Sequence, residues 1–274
     1  MLPSKLPAKL FAARLLRSAA LVAVVALTAA GCTTTGSNDV TGSIQSQPAT
    51  YAEWRRVGDQ WGERYRANPK DPQAAIHYAQ ALRATEQRDQ AVAVLERASI
   101  ENSHDKELLG AYGRALADVG RYEQALNVLS QAHTPDQPDW RILNVQGAVL
   151  DQLRRHAEAR HDYNEALRIK PNDPAVLSNL GLSYALTNDL KKAEETLRLA
   201  AAQPGAAPKI QQNLALVVAM QGRIPEAENI ARYNLPPAEA DASVNYLRTT
   251  LAQYKTKQGS RAPAPARRKL SSNQ

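Results

Sequence analysis

Hydrophobic and small residues recur through the middle of the chain at a constant step of 34 residues. One position is alanine at every step: Ala91, Ala125, Ala159, Ala193 and Ala227. A small position and a larger apolar position three residues later repeat in the same register: Ala79, Gly113, Gly147, Gly181 and Ala215, then Leu82, Leu116, Leu150, Tyr184 and Val218. Within a unit the apolar residues are three or four positions apart, as on one face of an α-helix. The pattern therefore predicts five units of two amphipathic helices.

Three units place glycine at the small position, inside a predicted helix. Glycine there costs about 1 kcal/mol relative to alanine, so Gly113, Gly147 and Gly181 indicate that a partner helix comes close. A 34-residue two-helix unit with small residues at fixed offsets is the signature of the tetratricopeptide repeat (TPR), whose hairpins stack into a right-handed solenoid. We predict an all-α TPR solenoid with repeats at about 72–105, 106–139, 140–173, 174–207 and 208–241.

Additional helices are predicted at both ends of the repeats. Residues 51–66 carry Trp54, Val57, Trp61 and Tyr65 at helical spacing, which favours a helix that covers the first repeat. A last helix from Pro237 to about Tyr254 is expected to cover the other end, so the solenoid spans residues 51–254.

Capping and turn residues punctuate the predicted helices. Asp71 before Pro72 and Asp173 before Pro174 are suited to N-caps followed by proline in the first helical turn. Tight turns between paired helices are predicted at Gly120, Asn188 and Gly222.

The amino-terminal segment has the parts of an export signal. Residues 1–31 combine four basic residues, a short apolar run and small residues before Cys32. The ending Ala29-Ala30-Gly31-Cys32 resembles the bacterial lipoprotein box, which implies lipid attachment at Cys32. Cys32 is the only cysteine, and the alternatives are an incidental residue in an ordinary signal or a reactive thiol. Thr33, rather than aspartate, implies by resemblance to Gram-negative lipoproteins an outer-membrane location facing the periplasm.

The segments on either side of the solenoid are polar. Residues 32–50, rich in Thr, Ser and Gln, are predicted to form a flexible tether, and residues 255–274 a disordered basic tail. The tail could contact anionic lipid or peptidoglycan, or be a solvated end. Of the formal charge of +7, four positive charges lie in residues 1–31 and four in residues 261–274. The rest is close to neutral, which argues against nucleic acid as a partner.

The first helix of each TPR hairpin lines the concave face, so its inward positions form the expected partner-binding groove. Those positions are polar at the start of the solenoid and apolar at its end, where they suit an amphipathic helix. The predicted groove residues are Gln80, Arg83, Arg114, Asn144, Asn179, Leu182, Leu186, Leu216 and Met220. Asp151 also falls on this face, and Asn144, Asn179 and Asn213 could hold the backbone of an extended peptide. In the alternative, the terminal helix folds over Leu182, Leu186, Leu216 and Met220.

The sequence offers no catalytic constellation. The five histidines are scattered, and His156 and His161, five residues apart, are badly spaced to share a metal on one helix face. No glycine-rich phosphate loop is present. We therefore expect a protein-binding chain rather than an enzyme, with no cofactor, metal or small-molecule substrate.

Taken together, the order of segments resembles the TadD family, the TPR lipoproteins of the Flp (Tad) pilus assembly system. The stretches that carry the resemblance are WGERYRANPKDP (61–72), TPDQPDWRILNVQGAVLDQL (134–153), LSNLGLSYALTNDLKKAE (177–194) and QQNLALVVAMQGR (211–223). The resemblance implies an outer-membrane lipoprotein of pilus biogenesis, acting as a pilotin for the secretin or on other Tad components. The alternative is a general periplasmic TPR adaptor that scaffolds peptidoglycan enzymes or outer-membrane protein assembly.

Overall fold

The computed structural model describes residues 50–134, 136–233 and 235–259. The predicted signal peptide, Cys32, nearly all of the tether and residues 260–274 lie outside these ranges. The described residues form twelve helices: α1 (Tyr51–Ala67), α2 (Pro72–Ala84), α3 (Arg88–Glu101), α4 (Lys106–Asp118), α5 (Tyr122–Leu129), α6 (Trp140–Gln152), α7 (His156–Ile169), α8 (Pro174–Leu186), α9 (Leu190–Ala201), α10 (Pro208–Met220), α11 (Ile224–Arg232) and α12 (Pro237–Gly259). The predicted all-α class is confirmed.

The helices stack as five consecutive hairpins, α2–α3, α4–α5, α6–α7, α8–α9 and α10–α11. The first helix of each hairpin contacts the first helix of the next, so that α2, α4, α6, α8 and α10 form one continuous layer. In the described part of the chain, second helices make no comparable contact with one another. First helices therefore lie closer together and form the inner layer of the solenoid, whereas second helices form the outer layer.

Close helix approach explains the glycines inside the first helices. A Cβ atom on Gly147 would lie 2.6 Å from Cε1 of Tyr163, and one on Gly181 would lie 2.7 Å from Cγ of Leu197. Real Cβ atoms do not come this near to other heavy atoms, so neither site has room for a side chain. The close approach predicted at these glycines is confirmed.

The turn within every hairpin uses one backbone conformation. Glu86, Gly120, Arg154, Asn188 and Gly222, at successive steps of 34 residues, all have φ between 62° and 87°. The turns predicted at Gly120, Asn188 and Gly222 are confirmed. Glu86 and Arg154 were not identified, because Glu and Arg rarely adopt the left-handed region and so give no signal for it.

Both predicted N-cap aspartates hold the helices that they precede. Asp71 Oδ1 accepts a hydrogen bond from the backbone N–H of Gln73 at 2.9 Å, and Asp173 Oδ1 accepts from Ala175 at 3.0 Å. Proline occupies the first turn of α2 and of α8, where its missing N–H breaks no helical bond. These caps fix where two of the inner helices begin.

Helices cover both ends of the stack. In α1, Tyr65 is buried and Trp61 stacks on His77 with ring centroids 4.3 Å apart, so this face joins the core. In α12, Val244, Leu247 and Leu251 are buried in a cluster with residues of α10 and α11. Helix α12 continues to Gly259, beyond the predicted start of the tail at residue 255. The additional residues up to Gln258 include no helix breaker, which accounts for the difference.

The second hairpin departs from the regular pattern. Helix α5 has 8 residues, whereas α3 and α7 in the neighbouring hairpins have 14 each. The segment after α5 contains Pro135 and Pro138. A residue before proline is disfavoured in the helical region, so α5 cannot continue to the length of its neighbours. None of the helices in the described ranges is both long and apolar enough to cross a membrane.

Candidate protein-binding surface

At the start of the inner face, polar side chains on neighbouring first helices bond to each other. Gln73 Nε2 of α2 donates to Glu107 Oε2 of α4 at 2.9 Å. Arg83 Nε of α2 donates to Asp118 Oδ2 at the end of α4, in a half-buried ion pair. The predicted groove residue Arg83 is therefore already engaged by a carboxylate of this chain.

Two further predicted groove residues, Gln80 and Arg114, are half-buried on α2 and α4. Burial lowers the pKa of the Arg114 guanidinium, and the nearby positive charge of Arg83 lowers it further. Within the described ranges no hydrogen bond or ion pair joins Arg114 to another residue. A binding role for Gln80 and Arg114 stays a prediction.

The asparagines of the inner face bond across hairpins. Asn179 Nδ2 of α8 donates to Asn144 Oδ1 of α6 at 2.9 Å, which leaves the amide nitrogen of Asn144 and the oxygen of Asn179 outside this bond. Asn213 is buried, and its Nδ2 donates to Ser178 Oγ at 3.1 Å. The expectation that Asn213 holds a peptide backbone is therefore wrong, because its side chain is enclosed between α8 and α10.

Asp151 forms a buried polar network that the sequence reasoning missed. Its side chain was expected on the groove surface, yet the residue is only 8% exposed. Asp151 Oδ1 accepts from Ser183 Oγ of α8 at 2.9 Å and lies 2.7 Å from His156 Nδ1, while Oδ2 accepts from Tyr163 OH at 3.1 Å. Burial and this neighbouring carboxylate raise the pKa of Tyr163. The network ties α6 to α7 and α8.

The sequence contained a signal for most of these pairs. The bonded partners on neighbouring first helices are 34 or 35 residues apart: Gln73 and Glu107, Arg83 and Asp118, Asn144 and Asn179, Ser178 and Asn213. Comparing polar residues one repeat apart would have found them. Asp151 and Ser183 are 32 residues apart and escape that comparison.

The apolar end of the inner face is divided into a covered and an open part. Leu216 and Met220 of α10 are half-buried and pack on the cluster that contains Leu247 and Leu251 of α12. Helix α12 contacts α10 and α11 but not α8. The alternative in which the terminal helix folds over the groove therefore holds at Leu216, which lines a small cavity together with Tyr246 and Leu247 of α12.

On α8 the open part of this face is formed by Leu182 and Leu186. Leu182 is half-buried, and Leu186 is 51% exposed. One helical turn separates them, so they share one face of α8 next to the leucine and methionine of α10. We refer to Leu182, Leu186, Leu216 and Met220 as the apolar strip. Helix α12 contacts α10, which carries one part of it, and not α8, which carries the other.

A small cavity shows that α12 does not pack perfectly over this strip. It has a volume of about 10 Å³ and lies between α10, α11 and α12, lined by Leu216, Ala231, Ser243 and Tyr246 among others. Ser243 Oγ is buried and has no hydrogen-bond partner among the described residues. No cluster of three or more metal-ligating side chains occurs in the described part of the chain.

Comparison with known families identifies the repeats. Residues 60–132 match the family described as anaphase-promoting complex, cyclosome, subunit 3, and residues 111–174 and 145–208 match the tetratricopeptide repeat family. Together the matched residues make up more than half of the chain. No curated protein matches the chain significantly.

Solved TPR structures share the fold. PilW, described as a widely conserved type IV pilus biogenesis factor, has a TM-score of 0.61 at 16% identity, over 73% of this chain and 91% of PilW. TTC0263, a thermophilic TPR protein of Thermus thermophilus, has a TM-score of 0.57 at 25% identity, over 68% of this chain and 100% of its own. The Cut9–Hcn1 assembly of the anaphase-promoting complex has a TM-score of 0.60 at 12% identity, over 79% of this chain and 43% of that chain.

The described residues therefore fold as a tetratricopeptide-repeat solenoid. Solenoids of this kind present extended surfaces to protein partners and typically carry no catalytic groups. The surface that the repeats offer, rather than a reactive side chain, is where function has to be sought.

Proposed function

We propose that this chain is an outer-membrane-anchored TPR lipoprotein that binds a protein partner during Flp (Tad) pilus assembly, acting as a pilotin for the secretin. The observation that carries the proposal is the apolar strip of the inner face, half of which is left open by α12. Such a strip is what a chain that handles another protein segment requires.

The open half of the strip fits an amphipathic helix. A single exposed leucine on a surface is common and needs no explanation. Leu182 and Leu186, however, share one face of α8, and α8 packs beside α10, whose Leu216 lies against α12. A helix placed beside α12 would extend an arrangement that the chain already uses to cover α10. Apolar anchors spaced by three or four residues would meet the two leucines.

Anchorage at the membrane is proposed from the amino-terminal sequence. Acylation of Cys32 would attach the chain to the outer membrane, facing the periplasm. Two or more acyl chains are needed for stable attachment, since one binds only reversibly. A tether of 18 residues between Cys32 and α1 gives an average reach of roughly 20–25 Å. The solenoid would then act close to the membrane in which a secretin is inserted.

The assignment to pilus assembly rests on the resemblance to the TadD family. PilW, as a type IV pilus biogenesis factor, supports it as an example of the same fold in such a pathway. At 16% identity that likeness concerns the fold, so the secretin as partner is part of the proposal.

The anchorage step can be tested in cells that carry the pilus system. Secretin multimers in the outer-membrane fraction are compared between wild type and Cys32→Ala. We expect the variant to reduce the multimers and leave monomeric secretin. Unchanged multimers at equal protein levels would contradict the pilotin function, even if pili were lost.

Affinity capture from detergent-solubilised envelopes tests the partner. The secretin is expected in captures of the wild-type chain. Recovery of peptidoglycan enzymes or outer-membrane protein assembly factors, without secretin, would contradict the pilotin function and favour that of a general periplasmic adaptor.

A further inference from the structure

The outer layer contains a cleft that the proposed function does not use. It has a volume of about 700 Å³ and lies between α5 and α7, with α6 at its base. Leu126 of α5 and Leu150 of α6 contribute apolar surface, while Glu123, Arg155, Glu158 and Asp162 contribute charges. A cleft of this volume is in the range of ligand-binding sites, which are commonly 300–1,000 Å³.

Negative charge dominates this outer cleft. Arg155 donates from Nε and Nη2 to the two carboxylate oxygens of Glu158, at 2.8 and 2.7 Å. The hydrogen bonds that Arg155 donates to Glu158 raise the pKa of Arg155, and the charges of Glu123 and Asp162 raise it further through space. Three carboxylates therefore surround one guanidinium, and two of the three have no Lys or Arg partner within salt-bridge distance among the described residues.

Asp162 is the least solvated of the three carboxylates. Its side chain is 20% exposed, and the nearest basic group is His161 Nδ1 at 3.4 Å. Burial raises the pKa of Asp162, although hydrogen bonding and the charges of His161 and His133 act in the opposite direction. A carboxylate in this environment is stabilised by a full positive charge brought next to it.

His133 lies next to Gln146, one of the residues that line the cleft, but does not line the cleft itself. His133 Nε2 lies 3.0 Å from Oε1 of Gln146, which lines the cleft. The other ring nitrogen of His133, Nδ1, is buried and has no partner among the described residues. Buried polar atoms without partners are rare in folded proteins.

We propose that the outer cleft binds a basic peptide segment of a partner protein, with an Arg or Lys side chain placed between Glu123 and Asp162. The aliphatic part of that side chain would lie on Leu126 and Leu150, as long basic side chains do on apolar surface. The excess of two negative charges selects a cation over an anion. The cleft is open to solvent, so that an extended chain can enter it. This surface is separate from the inner face, and the proposal does not depend on the pilus assignment.

The test uses the full chain with fluorescein-labelled hexaarginine as the probe, in fluorescence anisotropy at low salt. Glu123→Gln with Asp162→Asn removes the two unpaired carboxylates with little change in shape. The matched control, Asp89→Asn with Glu195→Gln, removes two exposed carboxylates from the outer helices α3 and α9 and leaves the net charge equal. We expect the control to bind as wild type does, and the cleft variant to bind about tenfold more weakly.

Several results would overturn the proposal. Equal weakening in the cleft variant and the control would show general electrostatic attraction, and equal binding of labelled hexaglutamate would show no charge selection. Failure of hexaarginine to bind the wild-type chain would also refute it. If the cleft variant melts at a lower temperature, Glu123→Gln alone, at an exposed position, replaces it.

The chain's own basic residues are a competing occupant. Replacing Arg261, Arg267, Arg268 and Lys269 by glutamine should leave hexaarginine binding unchanged if the cleft is free for a partner. Binding that appears only in this variant would show that the chain fills its own cleft, and would overturn the proposal of a partner.

Discussion

The two ends of the inner face differ in whether their side chains find partners within the chain. Between α2 and α4, Gln73 bonds Glu107 and Arg83 bonds Asp118, so the polar side chains of one helix meet those of the next. Towards the end of the face, α12 contacts α10 but not α8, so that within the described residues Leu182 and Leu186 are not covered by the terminal helix. Polar side chains of neighbouring repeats can form hydrogen bonds with each other, whereas apolar side chains are removed from water only when another helix covers them. The open apolar end is therefore the part of the face at which we propose that a partner binds.

The largest effect is expected where α12 covers the apolar end. Leu247 is 4% exposed in the cluster of α10, α11 and α12. Leu247→Asp would bury an unpaired carboxylate and remove apolar packing, and we expect a loss of about 4 kcal/mol in the stability of this end. Chemical denaturation and limited proteolysis would measure it, with Leu247→Met as a control expected to cost under about 1.5 kcal/mol. A Leu247→Asp chain as stable as wild type would show that α12 does not hold the strip closed.

The next largest effect is expected at the boundary between the two ends. Asp151→Ala leaves Tyr163 OH and Ser183 Oγ without their acceptor in the buried network. Removing a partner from buried polar groups costs about 1–3 kcal/mol, and we expect a loss in the upper part of that range by thermal or urea denaturation. Asp151→Asn keeps one acceptor oxygen and should lose less. Equal stability of the Ala and Asn variants would contradict the role given to these hydrogen bonds.

At the hairpin turns, backbone strain can be tested separately from side-chain contacts. Arg154 and Asn188 have φ of 63° and 62°, one hairpin apart, and both residues are exposed. Replacing Arg154 by glycine should stabilise the chain by about 0.5–1 kcal/mol, because glycine adopts this conformation without a steric penalty. Asn188→Gly should gain less, since asparagine tolerates the left-handed region better. Equal urea midpoints for wild type and Arg154→Gly would show that the turn carries no strain.

The smallest effect is expected at the polar end. Glu107→Gln keeps the shape of the side chain that accepts from Gln73, and both residues are exposed. We expect a change in stability within about 0.5 kcal/mol, as for most exposed substitutions. A loss above about 1 kcal/mol would mean that the polar pairs hold the first hairpins together more strongly than their exposure indicates.

The periodic part of the fold was predictable, because a 34-residue step fixes which residues face a neighbouring helix. The close contacts at Gly147 and Gly181 and the caps at Asp71 and Asp173 followed from it. Helical spacing, by contrast, predicts on which face of its helix a residue lies, but not which side chains of other helices contact it. Asp151 was therefore expected on the surface, although its partners come from α7 and α8.

For the candidate surface, the sequence indicated the residues but not which of them another helix covers. Leu182 and Leu186 lie on α8 and Leu216 and Met220 on the neighbouring α10, but which of these helices α12 covers depends on the path of the chain after α11. The outer cleft gave no sequence signal beyond the prolines that shorten α5, because its charges come from α5 and α7, which are not paired in one hairpin.

The measurement that tests the central claim most directly is affinity capture of partners by the full-length chain with the open strip altered. Leu182→Asp with Leu186→Asp is compared with Ile100→Asp and Leu199→Asp, which places the same charges on exposed apolar residues of the outer helices, 76% and 46% exposed. Both variants should melt near the wild-type temperature. We expect the control to recover the secretin as wild type does, and the inner-face variant to lose it. Full recovery by the inner-face variant would show that the partner binds elsewhere and would contradict the account.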